Sequence, residues 1–150
     1  MICPVFRPFQ ADDTHELKQM MLALYREDPE GEPLTPEKIS RTITELDQHP
    51  EKGCILMFWM GETIVGYGLV IVYWSNEFGG NILHPDELYV KAEWRNQGIA
   101  TQFLAALPTN PFFDHIVGLE LEVMPSNQRA LQYYQHIGFQ MSPNAHLIKR

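Results

Sequence analysis

A chain of 150 residues with 45% apolar side chains can bury one sizeable core and is too short for two comfortable domains, so a single domain over 1–150 is expected. Its formal charge of −8, from 11 basic and 19 acidic side chains, argues against a nucleic-acid surface, which needs clustered Lys and Arg, and favours a cationic or neutral partner. Cys3 and Cys54 alone make neither a disulfide framework nor a four-ligand zinc site, so a cytoplasmic protein without a metal is expected.

The opening MICPVFRPFQADD lacks the basic start and long apolar run of an export signal, and Ile2 to Phe9 can form a first strand. Asp12, Asp13 and Thr14 offer capping oxygens to a helix whose Leu17, Met20, Met21 and Leu24 share one face. That helix fades near Asp28-Pro29, in the acidic, turn-rich REDPEGEPL. Thr35 then caps a second helix opened by Pro36, with Ile39, Ile43 and Leu46 at helical spacing. CILMFWMGETIVGYGLVIVYW reads as a hairpin about Gly61-Glu62, and its longest apolar run is shorter than a membrane span, so no membrane partner is expected. Gly66-Tyr67-Gly68, inside that pattern, predicts a strand bend or close packing rather than a nucleotide loop. A turn at Gly79-Gly80 leads to a strand from Ile82 to Val90 and a helix from about Gln97 to Leu107, stopped by Pro108. A strand at Ile116 to Met124 and a helix from Asn127 to Ile137, ended by Gly138, follow. FQM and HLIKR can close the sheet as short terminal strands.

The junction in ELYVKAEWRNQGIATQFL, strand to polar turn to helix with Gly98 at the turn, suits phosphate oxygens, because a helix start leaves backbone N–H groups unpaired at the positive end of the dipole. Neither G-x-x-x-x-G-K-[ST] nor a helix-opening G-x-G-x-x-G is present. RNQGIA, Arg95 to Ala100, instead resembles the R/Q-x-x-G-x-G/A acyl-CoA pyrophosphate loop of the GNAT superfamily of N-acyltransferases, with DELYV resembling the strand beside the pantetheine arm. A second block, LELEVMPSNQRALQYYQHIGF, is similar to the family's strand followed by N-x-x-A-x-x-x-Y-x-x-x-G-F, matched at Asn127, Ala130, Tyr134, Gly138 and Phe139. The two blocks stand in the family's order and spacing.

The resemblance implies an α+β, three-layer GNAT fold: a mixed central sheet of about six to seven strands, helices on both faces, and a splayed central pair of parallel strands that admits acetyl-CoA. It implies that backbone groups of Leu88, Tyr89 and Val90 pair with the pantetheine amides. The amides of Asn96, Gln97, Gly98, Ile99, Ala100 and Thr101 would face the pyrophosphate, with Arg95 adding charge. Asn127 would sit near the pantetheine arm or tie the splayed strands together. The implied reaction is attack of a neutral primary amine on the thioester carbonyl, with thiolate leaving. An alkylamine titrates near about 10 and a thiol near about 8.5, so one group must lose a proton and the other benefits from receiving one. Tyr134 fits the general acid and Glu87 the base, with Glu122 as a possible replacement and a backbone N–H near Val90 as oxyanion donor.

Other candidates come from residue type and place. His84 could relay a proton at the cleft mouth. Tyr25, Trp59, Tyr73, Trp74 and Phe78 could wall an amine pocket, and Glu27, Asp28, Glu30 and Glu77 could attract a cation. Residues 1–50 carry five basic and ten acidic side chains, whereas 101–150 balance at three each. The expected function is therefore N-acetylation of a small cationic amine, of polyamine or aminoglycoside type. The alternatives are acetylation of a protein N-terminus or lysine, and a non-catalytic acyl-CoA-binding domain; a homodimer is possible.

Overall fold

The structure is a computed structural model that describes residues 2–29 and 31–150; Glu30, among the acids singled out above, lies outside them. After strand β1 (Val5–Pro8), the Asp13 carboxylate accepts the backbone N–H of Gln10 at 2.9 Å and fixes the entry to helix α1 (Thr14–Glu27). Helix α2 (Pro36–Gln48) starts as its sequence suggests: the Thr35 hydroxyl accepts the Lys38 N–H at 3.2 Å and Pro36 occupies the first turn, where a missing N–H costs nothing. Strands β2 (Gly53–Met60) and β3 (Thr63–Ser75) form the expected hairpin, and β4 (Gly80–Val90) returns beside β3. Helix α3 (Ile99–Ala106), strand β5 (Ile116–Leu119) and helix α4 (Gln128–His136) complete the order.

The sheet runs β1-β2-β3-β4-β5, antiparallel except for the parallel β4–β5 pair. Alternation along the strands divides the apolar side chains between its two faces. Ile55, Met57, Tyr67, Leu69 and Tyr89 pack beneath Leu17, Met20 and Met21 of α1 and Ile39 of α2. Leu56, Phe58, Val65, Val70 and Leu83 pack against Ile99, Phe103 and Leu104 of α3, with Tyr134 and Ile137 of α4 at the margin. Gly66 and Gly68 are close-approach positions, as their setting predicts. A Cβ on Gly66 would strike the Tyr89 carbonyl, and one on Gly68 would lie 2.5 Å from the Phe103 ring.

Helices on both faces and a splayed parallel pair are present, but among the described residues the sheet has five strands rather than six to seven, and the splayed pair lies at its end instead of its centre. The strand expected to reach Met124 stops at Leu119. Asn81 and Leu83 direct their backbone groups to β5, through Asn81 N–H to His115 O at 2.7 Å and Glu120 N–H to Leu83 O at 3.0 Å. The next residue of β4 with that orientation is Pro85, which has no N–H to offer, and the ladder ends there. FQM and HLIKR form no strands; residues 140–150 are exposed throughout, Leu147 at 91%, so no buried apolar face offsets the entropy of pairing them.

Immediately after Pro85, β4 carries a bulge. Leu69 pairs with Glu87 and Val70 with Pro85, which leaves Asp86 without an opposite number. One extra residue reverses the alternation. Leu83 faces α3, and Leu88 and Val90 do so too although they are odd steps away, while Tyr89 faces α1 and α2. Glu87 is thereby carried to the α1 side.

Candidate active site

Beyond Leu83 the β5 side of β4 is an open edge. Lys91 N–H donates to Val65 O at 2.8 Å, and antiparallel alternation counted back from that bond turns the polar groups of Tyr89 toward β3 and those of Leu88 and Val90 toward the open side. The Tyr89 carbonyl does lie against Gly66 of β3. The Val90 carbonyl, facing outward, accepts the Arg95 Nε–H at 2.7 Å.

The turn that follows prepares a helix start with free donors. Asn96 and Gly98 have φ of 61° and 80°, the left-handed region that glycine enters without penalty. Space is not what asks for glycine at 98, since the nearest atom to an added Cβ is Gln102 Nε2 at 3.8 Å. The helical ladder begins with Gln102 N–H to Gly98 O at 2.9 Å, so the amides of Ile99, Ala100 and Thr101 have no partner within α3. Among the described residues no side chain caps this end. The Thr101 and Tyr133 hydroxyls, 2.6 Å apart, join α3 to α4. Asn127 caps α4, its Oδ1 accepting the Ala130 N–H at 3.1 Å.

Three adjoining cavities run from this helix start to the opposite face of the sheet. The first, about 510 Å³, is lined by Val90, Arg95, Gly98, Ile99, Ala100 and Thr101, and by Leu88, Asn127 and Tyr134, which it shares with the second. The second, about 340 Å³, lies between the parted strands and reaches Tyr25, Asp28, Glu87 and Glu122. The third, about 950 Å³, opens between α2 and the sheet and shares Tyr25, Asp86 and Glu87 with the second. Tyr134 and Glu87 therefore stand at the two joins.

Glu87 is half-buried, and each of its carboxylate oxygens accepts a phenol: Tyr25 O–H at 2.8 Å to Oε2 and Tyr67 O–H at 2.8 Å to Oε1. Burial pushes its pKa above the usual carboxylate range, the two phenols act the other way, and Asp86 adds to the rise. Tyr134 is also half-buried, packed edge-on to Phe139 with ring centroids 5.7 Å apart. Burial, then Tyr133, raises its pKa, and among the described residues no side chain binds its hydroxyl.

The remaining candidates are placed as follows. Arg95 lines the first cavity, but its guanidinium grips Glu27 at 2.8 and 3.0 Å and lies 5.4 Å from the centre of the Tyr89 ring. Glu27 is thus tied to the loop before α3. Gln97 sits exposed in the turn, its side chain donating to Glu93 O. Glu122 is exposed beyond β5, 3.5 Å from His146. His84 stands where β4 and β5 part, between Asp86 at 3.7 Å and Glu120 at 3.8 Å, and Asp86 in particular raises its pKa. Of the five aromatics considered for an amine pocket, Tyr25 lines the cavities; Trp59 packs toward α1 and α2, while Tyr73, Trp74 and Phe78 are exposed around the β3–β4 turn. Glu77 is exposed on the same turn. Sequence reasoning missed Tyr67 as a partner of Glu87, the Thr101–Tyr133 link and the α2 side chains of the third cavity. Strand alternation could have placed Tyr67 on the α1 face; nothing local in the sequence joins Thr101 to Tyr133. Among the described residues no group of three or more His, Cys, Asp or Glu could hold a metal ion, and no helix is long and apolar enough to cross a membrane.

Residues 17–139 match the family model described as the acetyltransferase (GNAT) family. A thialysine N-epsilon-acetyltransferase from Bos taurus is 34% identical over 80 residues, which are 53% of this chain and 46% of that protein, so the match spans about half the length of this curated relative. Among solved structures, a possible acetyltransferase from Clostridium difficile 630 has a TM-score of 0.83 at 21% identity, covering 100% of this chain and 99% of that one. An aminoglycoside N-acetyltransferase in complex with CoA has a TM-score of 0.79 at 13% identity, covering 100% and 96%. At these identities the two structures speak to the fold.

Proposed function

The chain belongs to the GNAT acetyltransferase family, and from that premise we propose that it transfers an acetyl group from acetyl-CoA to the primary amine of a small molecule that is cationic as it arrives. The observation that supports this most directly is the run of three cavities with a phenol at one join and a carboxylate at the other. Acetyl-CoA supplies the activated thioester. The free amides of Ile99, Ala100 and Thr101, with the turn Asn96, Gln97 and Gly98 before them, fit a pyrophosphate at the positive end of α3.

The outward-facing backbone of Leu88 and Val90 fits an extended amide chain laid along the sheet edge. Because the Val90 carbonyl is already engaged by Arg95, its N–H is the group left to stabilise negative charge developing on the thioester oxygen. Glu87 takes the proton of the incoming ammonium, directly or through water, and its burial narrows the gap to the amine's higher pKa. Tyr134, whose raised pKa keeps it protonated, delivers a proton to the departing sulfur and is restored by the second proton that the amine nitrogen sheds as the amide forms. Asn127 holds the start of α4 and so the position of Tyr134 about two turns further on.

Within small amines, the aminoglycoside enzyme among the structural neighbours and the acidic sum of the first third of the chain point to polycationic acceptors, and the thialysine enzyme among the relatives points to amino-acid-like ones; the charge lining the site separates the two. A thiol-release assay over an amine panel tests the proposal, with acetylated product identified by mass spectrometry. Acetyl-CoA-dependent acetylation of at least one small amine is expected; acetyl-CoA binding without transfer to any of them would leave a non-catalytic acyl-CoA-binding domain.

A further inference from the structure

We infer that the acceptor carries an anionic group at the end remote from the reacting amine: a zwitterionic, amino-acid-like amine rather than a polycation. The inference rests on the acetyl-transfer reading above and names the acceptor class for the same site. It comes from the division of charge across the cavity of about 950 Å³ between α2 and the sheet. On its β4 wall stand Asp86 and Glu87; on its α2 wall, Lys38 and Arg41; the surface between them is apolar, with Leu34, Leu46, Leu69, Ile71 and Val72. Helical spacing explains the α2 wall, because Lys38, Arg41 and Glu45 fall three and four residues apart on one side while Ile39 and Ile43 turn to the core.

The ion pairs decide the net sign of each wall. Glu45 is engaged by Lys52, so that pair cancels locally. Lys38 Nζ donates to the neutral Pro33 carbonyl at 2.6 Å and has no ion-pair partner among the described residues. Arg41 has no ion-pair partner among the described residues. Glu27, one of the acids that the sequence alone assigns to the acceptor side, is bound to Arg95 instead. The α2 wall is therefore positive, while on the β4 wall Asp86 is shared with His84 at 3.7 Å and the Glu87 carboxylate carries the negative charge. A linear polycation seated with one amine at Glu87 would press its second ammonium toward Lys38 and Arg41, against like charge. A carboxylate there meets a guanidinium fork whose geometry matches it, and methylenes between the two ends cover the apolar floor.

Three six-carbon acceptors of matched length separate the possibilities: aminocaproate, hexylamine and hexamethylenediamine, each assayed by thiol release with the intact chain. The expected result is a kcat/KM for aminocaproate about 10-fold or more above that for the diamine, the scale of one charge-assisted hydrogen bond. Arg41→Gln should bring the two values together through a higher KM for aminocaproate, and Arg41→Lys should restore part of the preference. Diamine turned over as well as or better than aminocaproate, or a preference indifferent to Arg41→Gln, would overturn the inference while leaving acetyl transfer intact. Acetyl-CoA binding with no transfer to any of the three or to a wider panel would overturn both.

Discussion

Glu87 holds its position through two phenols, and its chemistry depends on how much each contributes. Hydrogen bonds to an ionised carboxylate favour that form, so losing one lets burial dominate further and raises the pKa. In Tyr67→Phe the acidic limb of the kcat/KM profile should consequently move to higher pH. The sign for stability follows from the same shift. A carboxyl whose folded pKa exceeds its unfolded one keeps a proton in the folded chain over the interval between the two values, so stability falls as pH rises through that interval. Tyr67→Phe should widen the interval, measurable as a steeper decline of Tm with pH above the ordinary carboxylate range. An unmoved acidic limb would reduce the Tyr67 hydroxyl to a packing role. At the other join, Tyr134→Phe removes one hydroxyl and almost no volume. Turnover should fall about 10- to 1,000-fold, within the lower reach of general acid catalysis, while acetyl-CoA affinity by calorimetry stays nearly constant. Wild-type turnover, with chemistry shown to limit the rate, would return Tyr134 to the core.

One residue in β4 does the work of a reading-frame shift. Deleting Asp86 should abolish turnover by returning Glu87 to the α3 face and exchanging the faces of the residues before or after it, whereas Asp86→Ala keeps the extra residue and should retain a large part of the activity. Circular dichroism with steady-state assay separates loss of site from loss of fold; equal activity in the deletion would reject the bulge as the device that aims Glu87. The bulge was not legible in DELYV, because strand propensity says nothing of a partner's register. The end of the parallel ladder was not read: Pro85 withholds a donor, but which neighbour that donor would have faced depends on register, and the strand from Ile116 was expected to reach Met124. Helix starts were the clearest features: Thr35-Pro36 and Asn127 are local devices that need no distant partner. Tyr134 and Gly98 were singled out through spaced motifs, but Tyr25 and Tyr67 reach Glu87 by hydrogen bonds across 62 and 20 positions, and Arg41 borders the same cavity 46 positions from it. Contacts at such separations leave no mark on a local pattern.

At the scale of the molecule, the negative total charge proved a poor guide to where charge acts. Residues 1–50 are acidic in sum, yet Glu27 is bound to Arg95, Glu32 meets Arg150 and Glu16 meets Lys91, while the α2 wall of the 950 Å³ cavity carries Lys38 and Arg41. Pairing within the fold, which only the tertiary arrangement decides, redistributes a sum that composition alone presents as uniform. The row of cavities has a further consequence, for kinetics. The 510 Å³ cavity opens on the α3–α4 face and the 950 Å³ cavity on the α1–α2 face, and the two meet only at the parted strands. Neither cysteine lines any of the three, Cys54 being buried under α3 and Cys3 exposed near the start of the chain. On the proposed acetyl-transfer reading each substrate would have its own entrance, neither would have to leave before the other arrives, and neither cysteine would stand by to store the acetyl group between them. Double-reciprocal plots at several fixed amine concentrations should accordingly intersect, and acetyl-CoA alone should release no burst of thiol; parallel lines would mean that the two doors open onto separate rooms.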